Sequence, residues 1–264
     1  MKFRSPGLGL TALAAAFAAH AQSPSGAPGD GWNLVVGLGA ISTPEYAGSD
    51  QQKVIPAPVF IATKGRWFLG ALPATGVPFG IGYDLVRTSQ WRFGLAVGSG
   101  FAQPREEKDD ARLAGLGDID PTAQLAAFGS FTEGWFSVRS AVTTDIGGNG
   151  HGTIGIVDVE GRWPVAERLT LSVAPGLTFA NSRHEQTFFG IDAAQSANSG
   201  RAEYRPDGGL NAVRLAVGAD YRFTPQWGLG ARVVFSKLRG DAADSPITQD
   251  TNQNTFSVFT TWRF

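Results

Sequence analysis

Apolar and polar side chains alternate at every second position along most of this chain. In one segment, small or polar residues separate the apolar members Leu169, Leu171, Val173, Pro175, Leu177 and Phe179. A β-strand directs successive side chains to opposite faces, so the alternation predicts strands with one apolar and one polar face.

The same pattern predicts about twelve strands, an even number as in single-chain bacterial outer-membrane barrels. They span residues 32–41, 53–63, 66–72, 76–86, 91–103, 122–131, 135–146, 151–163, 169–181, 209–223, 227–239 and 254–264. The connections that follow even-numbered strands are short, whereas the others include long loops at 42–52, 104–121, 182–208 and 240–253. Short periplasmic turns opposite long external loops are typical of these proteins. The predicted fold is all-β: a transmembrane antiparallel up-and-down β-barrel.

All seven tryptophans fall beside a predicted periplasmic turn or terminus. They are Trp32, Trp67, Trp91, Trp135, Trp163, Trp227 and Trp262. The membrane–water interface accommodates both the apolar ring and the polar N–H of an indole, so this row predicts a periplasmic aromatic girdle. A soluble β-sandwich, the alternative, gives no reason to collect tryptophans at one end.

The N-terminus has the three parts of a secretory signal peptide. Lys2 and Arg4 precede an uncharged apolar run over residues 8–19, and a small-x-small triplet ends at Ala21. Such a run is shorter than the roughly 20 residues that span a bilayer as a helix. We predict cleavage between Ala21 and Gln22. This gives a signal peptide at 1–21, a flexible periplasmic segment at 22–31 and a barrel at 32–264.

The C-terminus adds a second export feature. The last predicted strand places one parity on the lipid-facing side, namely Phe256, Val258, Thr260, Trp262 and Phe264. A final strand that ends on an aromatic residue resembles the signal recognised by the outer-membrane assembly machinery. The expected location is therefore the bacterial outer membrane, in contact with lipid and lipopolysaccharide.

Composition excludes several function classes. The chain has no cysteine, which excludes disulfides and thiolate chemistry. Its net charge is -1, and it has no concentrated excess of Lys and Arg of the kind that binds nucleic acid. After signal cleavage only His151 and His184 remain, and we expect both to be exposed loop residues away from the lipid boundary. An outer-membrane phospholipase needs a Ser–His pair at that boundary. We predict no enzyme activity, no cofactor and no metal site.

Charged residues on the polar parity of the strands are predicted to face the lumen. They are Arg92, Arg139, Asp145, Asp158, Glu160, Arg162, Arg214, Asp220, Arg222 and Arg232. Charges of both signs line an aqueous pore in some barrels and fill the lumen with salt bridges in others. We favour a plugged or weakly conducting barrel, because Phe188 and Phe189 in the longest external loop are costly to leave in water.

Three external loop motifs resemble those of one family. The matching positions are Tyr46, Gly48 and Ser49 in the first loop, Phe188, Phe189, Gly190, Ser199, Gly200 and Tyr204 in the longest loop, and Asp241, Asp244, Ser245 and Pro246 before the last strand. In order and placement they resemble the MltA-interacting protein (MipA)/OmpV family of outer-membrane proteins, over essentially the whole mature chain. Arg201 departs from the pattern, which has an apolar residue there.

The resemblance implies a non-catalytic outer-membrane barrel. Its type member is a scaffold that associates with a membrane-bound lytic transglycosylase and a bifunctional murein synthase, and so links wall cutting to wall synthesis in peptidoglycan growth. No contact motif carries over residue by residue, so the partner-binding residues are not predicted. Two alternatives stay open: a small-solute channel of porin type, and a surface adhesin that uses the external loops.

Overall fold

The computed structural model of this chain is a closed barrel of twelve antiparallel strands. It describes residues 31–72, 77–100 and 105–264, so the predicted signal peptide and nearly all of segment 22–31 lie outside the described residues. The strands are β1 (Asn33–Pro44), β2 (Gln52–Lys64), β3 (Trp67–Leu72), β4 (Val77–Arg87), β5 (Trp91–Gly100), β6 (Thr122–Glu133), β7 (Phe136–Asp145), β8 (Thr153–Ala166), β9 (Leu169–Ala180), β10 (Gly209–Arg222), β11 (Trp227–Leu238) and β12 (Thr255–Arg263).

Each strand pairs with its neighbours in sequence, and β1 pairs with β12 to close the barrel. The predicted fold class is thus confirmed. The turns at one end are short, at residues 65–66, 88–90, 134–135, 167–168 and 223–226. Gly65 and Gly134 adopt φ values of 57° and 54°, which a tight two-residue hairpin turn requires and glycine adopts without strain.

The alternation seen in the sequence separates the two faces of the barrel wall. In β9, Leu171 and Phe179 are exposed on the outside, whereas Ser172 and Ala174 are buried on the inside. The same arrangement in the other strands gives an apolar outer face, the surface that a hydrocarbon environment requires. Within the described ranges no helix is long and apolar enough to cross a bilayer.

The inner face has two unlike sides. On β1 to β7 and β12, buried apolar side chains predominate, in clusters around Phe68 and Phe128, around Val35, and around Ile41 and Phe259. On β7 to β11, charged side chains project inward and pair with one another. An apolar wall therefore faces a charged one across the lumen.

Short helices occupy the external loops, where the sequence predicted loops alone. They are α1 (Ser182–Phe189), α2 (Ala193–Ser199), α3 (Gly240–Asp244) and two single 3₁₀ turns at Glu107–Asp109 and Ala111–Leu113. Local chemistry explains the first two. The side chains of Asn181 and Asp192 accept hydrogen bonds from the first-turn N–H groups of α1 and α2, and Gly200 ends α2 in the left-handed region with φ 72°.

Candidate functional site

Glu160 is the centre of a buried charge network inside the barrel. Its carboxylate accepts a hydrogen bond from Arg232 Nη2 at 3.3 Å and lies 3.4 Å from Arg139 Nη2. Because β8 and β11 are not neighbours in the sheet, Glu160 and Arg232 meet across the inside of the wall. Removing one partner of such a buried pair leaves an uncompensated charge, so the three side chains hold one another in place.

Two further ion pairs join β8 to β10 across the inside of β9. Arg214 Nη2 lies 2.8 Å from Asp158 Oδ1, and Arg162 Nη2 lies 4.0 Å from Asp220 Oδ2. With the Glu160 network, these pairs bring seven of the predicted lumen charges together on one side of the barrel.

Arg92 belongs to a second network on the apolar side. Its Nε donates to Asp84 Oδ1 at 2.7 Å, and its guanidinium lies 4.8 Å from the ring centroid of Phe68. Arg87 Nη1 lies 3.6 Å from the other Asp84 oxygen. Sequence reasoning missed Asp84, although it has the same parity as Gly82 on the inner face of β4.

Asp145 and Arg222 lie apart from these networks. Asp145 ends β7, where it accepts hydrogen bonds from Thr122 Oγ1 at 2.5 Å and from the backbone N–H of Gly147 at 2.8 Å and His151 at 3.1 Å. It therefore shapes an external turn. Arg222 ends β10 and is exposed beside a periplasmic turn.

The three family motifs meet at the external end of the barrel. The loops at 45–51, 105–121, 181–208 and 239–254 form one assembly, here named the external cap. Two buried apolar clusters hold it: the first contains Tyr46, Leu113, Leu116, Ile191 and Ile247 with Tyr204, and the second contains Ile119, Phe188, Phe189, Ala212, Leu238 and Ala242. Each cluster joins loops that are distant in sequence.

Hydrogen bonds connect the family positions across these loops. Ser245 Oγ donates to the Phe189 carbonyl at 2.5 Å, and Tyr204 OH donates to the Asp241 carbonyl at 2.8 Å. Gly48 has φ 93°, and a Cβ there would lie 2.9 Å from Thr248 Cα, so glycine suits this position. Five further positions have local roles in turns and helix ends: Ser49, Gly190, Ser199, Gly200 and Asp244. The carbonyl of Pro246 accepts a hydrogen bond from Arg201 of another loop.

Arg201, the departure from the family pattern, fastens three loops. Its Nη1 donates to the Pro246 carbonyl at 2.8 Å, and its Nη2 donates to the Arg112 carbonyl at 2.9 Å. Arg112 in turn forms ion pairs with Asp50 at 2.6 Å and with Asp110 at 2.5 Å. Arg201 thus makes polar hydrogen bonds at a position where the family pattern has an apolar side chain.

The expectation of two exposed histidines was wrong: His151 is buried, and His184 is half-buried where the external loops pack together. His151 is buried and its Nε2 lies 2.8 Å from the Asp120 carbonyl, while His184 Nδ1 lies 2.9 Å from the His151 carbonyl. Burial lowers the pKa of His184 to about 4. Both imidazoles hold loops together. Within the described part of the chain, no three acidic or histidine side chains form a potential metal site.

Glu185 is a buried carboxyl group that sequence reasoning missed. Its Oε1 accepts a hydrogen bond from Asn211 Nδ2 at 3.0 Å, where α1 of the cap meets the start of β10. Burial raises the pKa of Glu185 to about 7. Helical spacing places Glu185 near Phe188 and Phe189 on α1. This proximity can be recognised in the sequence only once the segment is known to be a helix.

The turn end of the barrel carries a ring of indoles. Trp135 and Trp163 stack with centroids 5.6 Å apart, and Trp227 meets Trp262 at 4.9 Å. The other three, Trp32, Trp67 and Trp91, are exposed beside the same end. In β12, Phe256 and Val258 face outward, Thr260 shares their parity, and the Phe264 N–H donates to the Leu34 carbonyl at 3.0 Å.

A closed strand barrel with an apolar outer face and short turns at one end is an outer-membrane β-barrel. Within that class, the chain belongs to the MltA-interacting protein MipA family, whose model matches residues 36–264. The predicted family and outer-membrane location are thereby confirmed.

Individual relatives agree with this assignment. The chain is 24% identical over 274 residues to the MltA-interacting protein of Escherichia coli strain K12, covering 100% of this chain and 99% of that protein. It is 27% identical over 159 residues to the outer membrane protein YiaT of the same strain, covering 60% of this chain and 63% of YiaT. The match thus spans less than two thirds of the length of YiaT.

Solved structures resemble the barrel more remotely. The outer membrane channel DcaP of Acinetobacter baumannii gives a TM-score of 0.42 at 9% identity, covering 89% of this chain and 96% of DcaP. The toluene transporter TodX of Pseudomonas putida gives 0.41 at 13% identity, covering 94% of this chain and 93% of TodX. These resemblances do not extend to function.

Proposed function

We propose that this barrel is a non-catalytic scaffold of the cell envelope. On its periplasmic side it binds a membrane-bound lytic transglycosylase and a murein synthase, and so links the two activities in peptidoglycan growth. The observation that carries this proposal is the similarity to the MltA-interacting protein along the whole of both chains.

The side chains in and above the lumen support a function in protein binding in preference to transport of solutes through the barrel. The external cap covers one end of the barrel, with Phe188 and Phe189 buried in it. The ion pairs around Glu160 occupy one side of the lumen below the cap. A barrel that is capped at one end and carries ion pairs along one side of its lumen leaves less room for a wide pore, so its surfaces are the better candidates for function.

The exposed charges at the turn end are unbalanced, which supports a docking role for that end. Among the residues that the structure describes, exposed basic residues outnumber exposed acidic ones there, namely Lys64, Arg66, Arg168, Arg222 and Arg263 against Glu133 and Glu167. A basic rim attracts a partner with an acidic surface and accelerates their encounter. The short turns add little other protruding surface, so the rim is the part of the barrel offered to the partner.

In-cell crosslinking of the full chain, followed by identification of the captured proteins, tests the proposal. We expect a lytic transglycosylase and a murein synthase in the product. Replacing Lys64→Glu and Arg222→Glu together reverses two rim charges and should reduce capture severalfold. The matched control reverses two exposed charges at the external end, Arg183→Glu and Arg205→Glu, and should leave capture unchanged.

The outcomes separate the possible failures. Recovery of neither enzyme with the unmodified chain contradicts the scaffold. Equal capture by the two double variants contradicts the docking role of the basic rim alone. A large, steady open conductance in planar bilayers would favour the channel. Loss of surface adhesion after trimming residues 182–208 would favour the adhesin.

A further inference from the structure

Lys237 is a charged residue on the lipid-facing side of the barrel wall. β11 directs Phe235 outward, where it is exposed, and Lys237 has the same parity and is also exposed. In the strands that the structure describes, every other charged residue either has inward parity or lies beside a periplasmic turn. A charged side chain on a lipid face is costly, so its presence points to a function.

The position of Lys237 along β11 places it at the outer boundary of the membrane. The outward-facing residues of this strand are Trp227, Leu229, Ala231, Val233, Phe235 and Lys237, of which Trp227 belongs to the ring of indoles at the turn end. Ten positions separate Trp227 from Lys237, which is about 33 Å along a strand. A strand tilt of about 40° reduces this to a height of about 25 Å, the height of the apolar band of such barrels. The Lys237 ammonium group therefore lies at the level of the outer headgroups.

Arg239 adds a second cation on the same side of the wall. It follows the last residue of β11 with an extended backbone, φ -138° and ψ 166°, so the alternation of the strand continues through it. The side chain of Leu238, between the two cations, is buried in the external cap. Lys237 and Arg239 therefore both point outward, about 7 Å apart along the chain. Both side chains are exposed.

Hydrogen bonds to both neighbouring segments fix the backbone between the two cations. The Leu238 N–H donates to the Thr251 carbonyl at 2.8 Å, and the Arg239 N–H donates to the Asn211 carbonyl at 2.8 Å. The backbone of this site is thus held in place before any ligand binds. Only the two side chains have to become ordered on binding, which lowers the entropic cost of association.

The two cations are not neutralised within the part of the chain that the structure describes. There, neither Lys237 nor Arg239 forms an ion pair with an acidic side chain. Asp250 lies in the adjacent loop, but its Oδ1 accepts hydrogen bonds from the N–H and Nδ2 of Asn252 at 2.8 and 3.1 Å. Asp241 Oδ2 likewise accepts from a backbone N–H of the long loop at 2.6 Å. The two positive charges are therefore available to an anion from outside the chain.

We propose that Lys237 and Arg239 bind a phosphate group of a phosphorylated glycolipid in the outer leaflet, namely the lipid A part of lipopolysaccharide. A guanidinium group binds two phosphate oxygens at once, and an ammonium group adds a point charge. Leu215 and Phe235 form an exposed apolar pair directly on the membrane side of the two cations. An amphiphile with a phosphate above hydrocarbon chains matches this arrangement. The site is independent of the docking role at the periplasmic end.

Titration of the folded barrel in detergent micelles with diphosphoryl lipid A, followed by native mass spectrometry, tests this site. Replacing Lys237→Gln and Arg239→Gln together should weaken binding by about tenfold, because both positive charges are lost. The matched control, Arg183→Gln with Arg205→Gln, removes two exposed charges of the external cap and should leave the affinity unchanged. Replacing Lys237→Arg keeps the charge and should retain most of the affinity.

Equal loss of affinity in the two double variants would assign binding to the overall charge of the external end and overturn the proposal. Two further probes test the class of ligand. We expect the wild type to bind dephosphorylated lipid A as weakly as the Lys237→Gln and Arg239→Gln variant binds diphosphoryl lipid A. Equally tight binding of phosphatidylglycerol, or displacement of lipid A by inorganic phosphate, would contradict a site for a phosphorylated glycolipid. Heat-modifiable electrophoretic mobility confirms that each variant is folded before titration.

Discussion

At the scale of residues, the parity of a charged residue in its strand predicts which face of the barrel wall its side chain occupies. It does not predict the ion-pair partner. Glu160 and Arg232 have the predicted inward parity, yet they are 72 residues apart and come from strands that are not neighbours. Their pairing depends on barrel diameter and strand tilt, which periodicity does not encode. The same limit explains why Glu185 and its partner Asn211 escaped prediction.

Glu185 should make the stability of the external cap depend on pH. Its pKa in the folded chain is about 7, above its ordinary value of 4.5, so the folded state binds the proton more tightly than the unfolded state. The resulting stability is complete below pH 4.5 and is lost as pH rises through about 7, with a total of at most about 3 kcal/mol. His184 acts in the opposite sense, because its lowered pKa makes stability fall as pH drops toward 4.

Glu185→Gln removes the pH dependence of stability that is due to Glu185 and keeps the one that is due to His184. Amide hydrogen exchange of the loop at 181–208 between pH 5 and 8 should show weaker protection at high pH in the wild type. In the variant this loss should disappear. Glu203→Gln, an exposed residue on the same loop, is the control and should behave as the wild type. A wild-type loss of protection that survives Glu185→Gln would contradict the assignment.

At the scale of elements, the strands were predictable and the loop helices were not. A strand of ten residues shows five repeats of its alternation, whereas the eight residues of α1 give little more than two helical turns. The capping residues Asn181 and Asp192 are of types that also favour turns without helices. Short helices in the cap are stabilised mainly by packing against other loops, which the local sequence does not reveal.

Arg201 should control the order of the external cap. Arg201→Ala removes its hydrogen bonds to the loops that carry Arg112 and Pro246. We expect limited proteolysis within residues 193–205 to accelerate severalfold, while the thermal unfolding of the barrel changes little, because the strands do not depend on this contact. Arg205→Ala is the matched control, since Arg205 forms a local ion pair with Glu203 at 3.0 Å. Equal proteolysis of the two variants would show that Arg201 is not a connection between loops.

At the scale of the whole molecule, the sequence predicted the strand number, the turn end and the order of pairing. The main differences are at strand ends: β1 extends to Pro44 because its last residues pair with β2, and β8 extends to Ala166. Strand periodicity did not predict the backbone of Gly70, which has φ 119° at the last described β2–β3 pair, because a glycine in a strand pattern has several structural meanings. Nor did it predict that four external loops form one cap, since those contacts are long-range.

The last strand closes the barrel and carries the predicted assembly signal. A substitution of Phe264 therefore tests how the whole barrel is assembled. β12 closes the barrel against β1, and the backbone of Phe264 completes that contact at Leu34. The phenyl ring is 72% exposed and therefore adds little to packing within the barrel. If the terminal aromatic acts as an assembly signal, Phe264→Ala should reduce the amount of folded protein in the outer membrane severalfold while changing the stability of the purified, refolded barrel little.

Phe223→Ala removes another exposed aromatic beside a periplasmic turn and should assemble normally. Equal defects in both variants would assign the effect to the interfacial aromatic ring in general, whereas a defect confined to Phe264 requires recognition of the chain end itself.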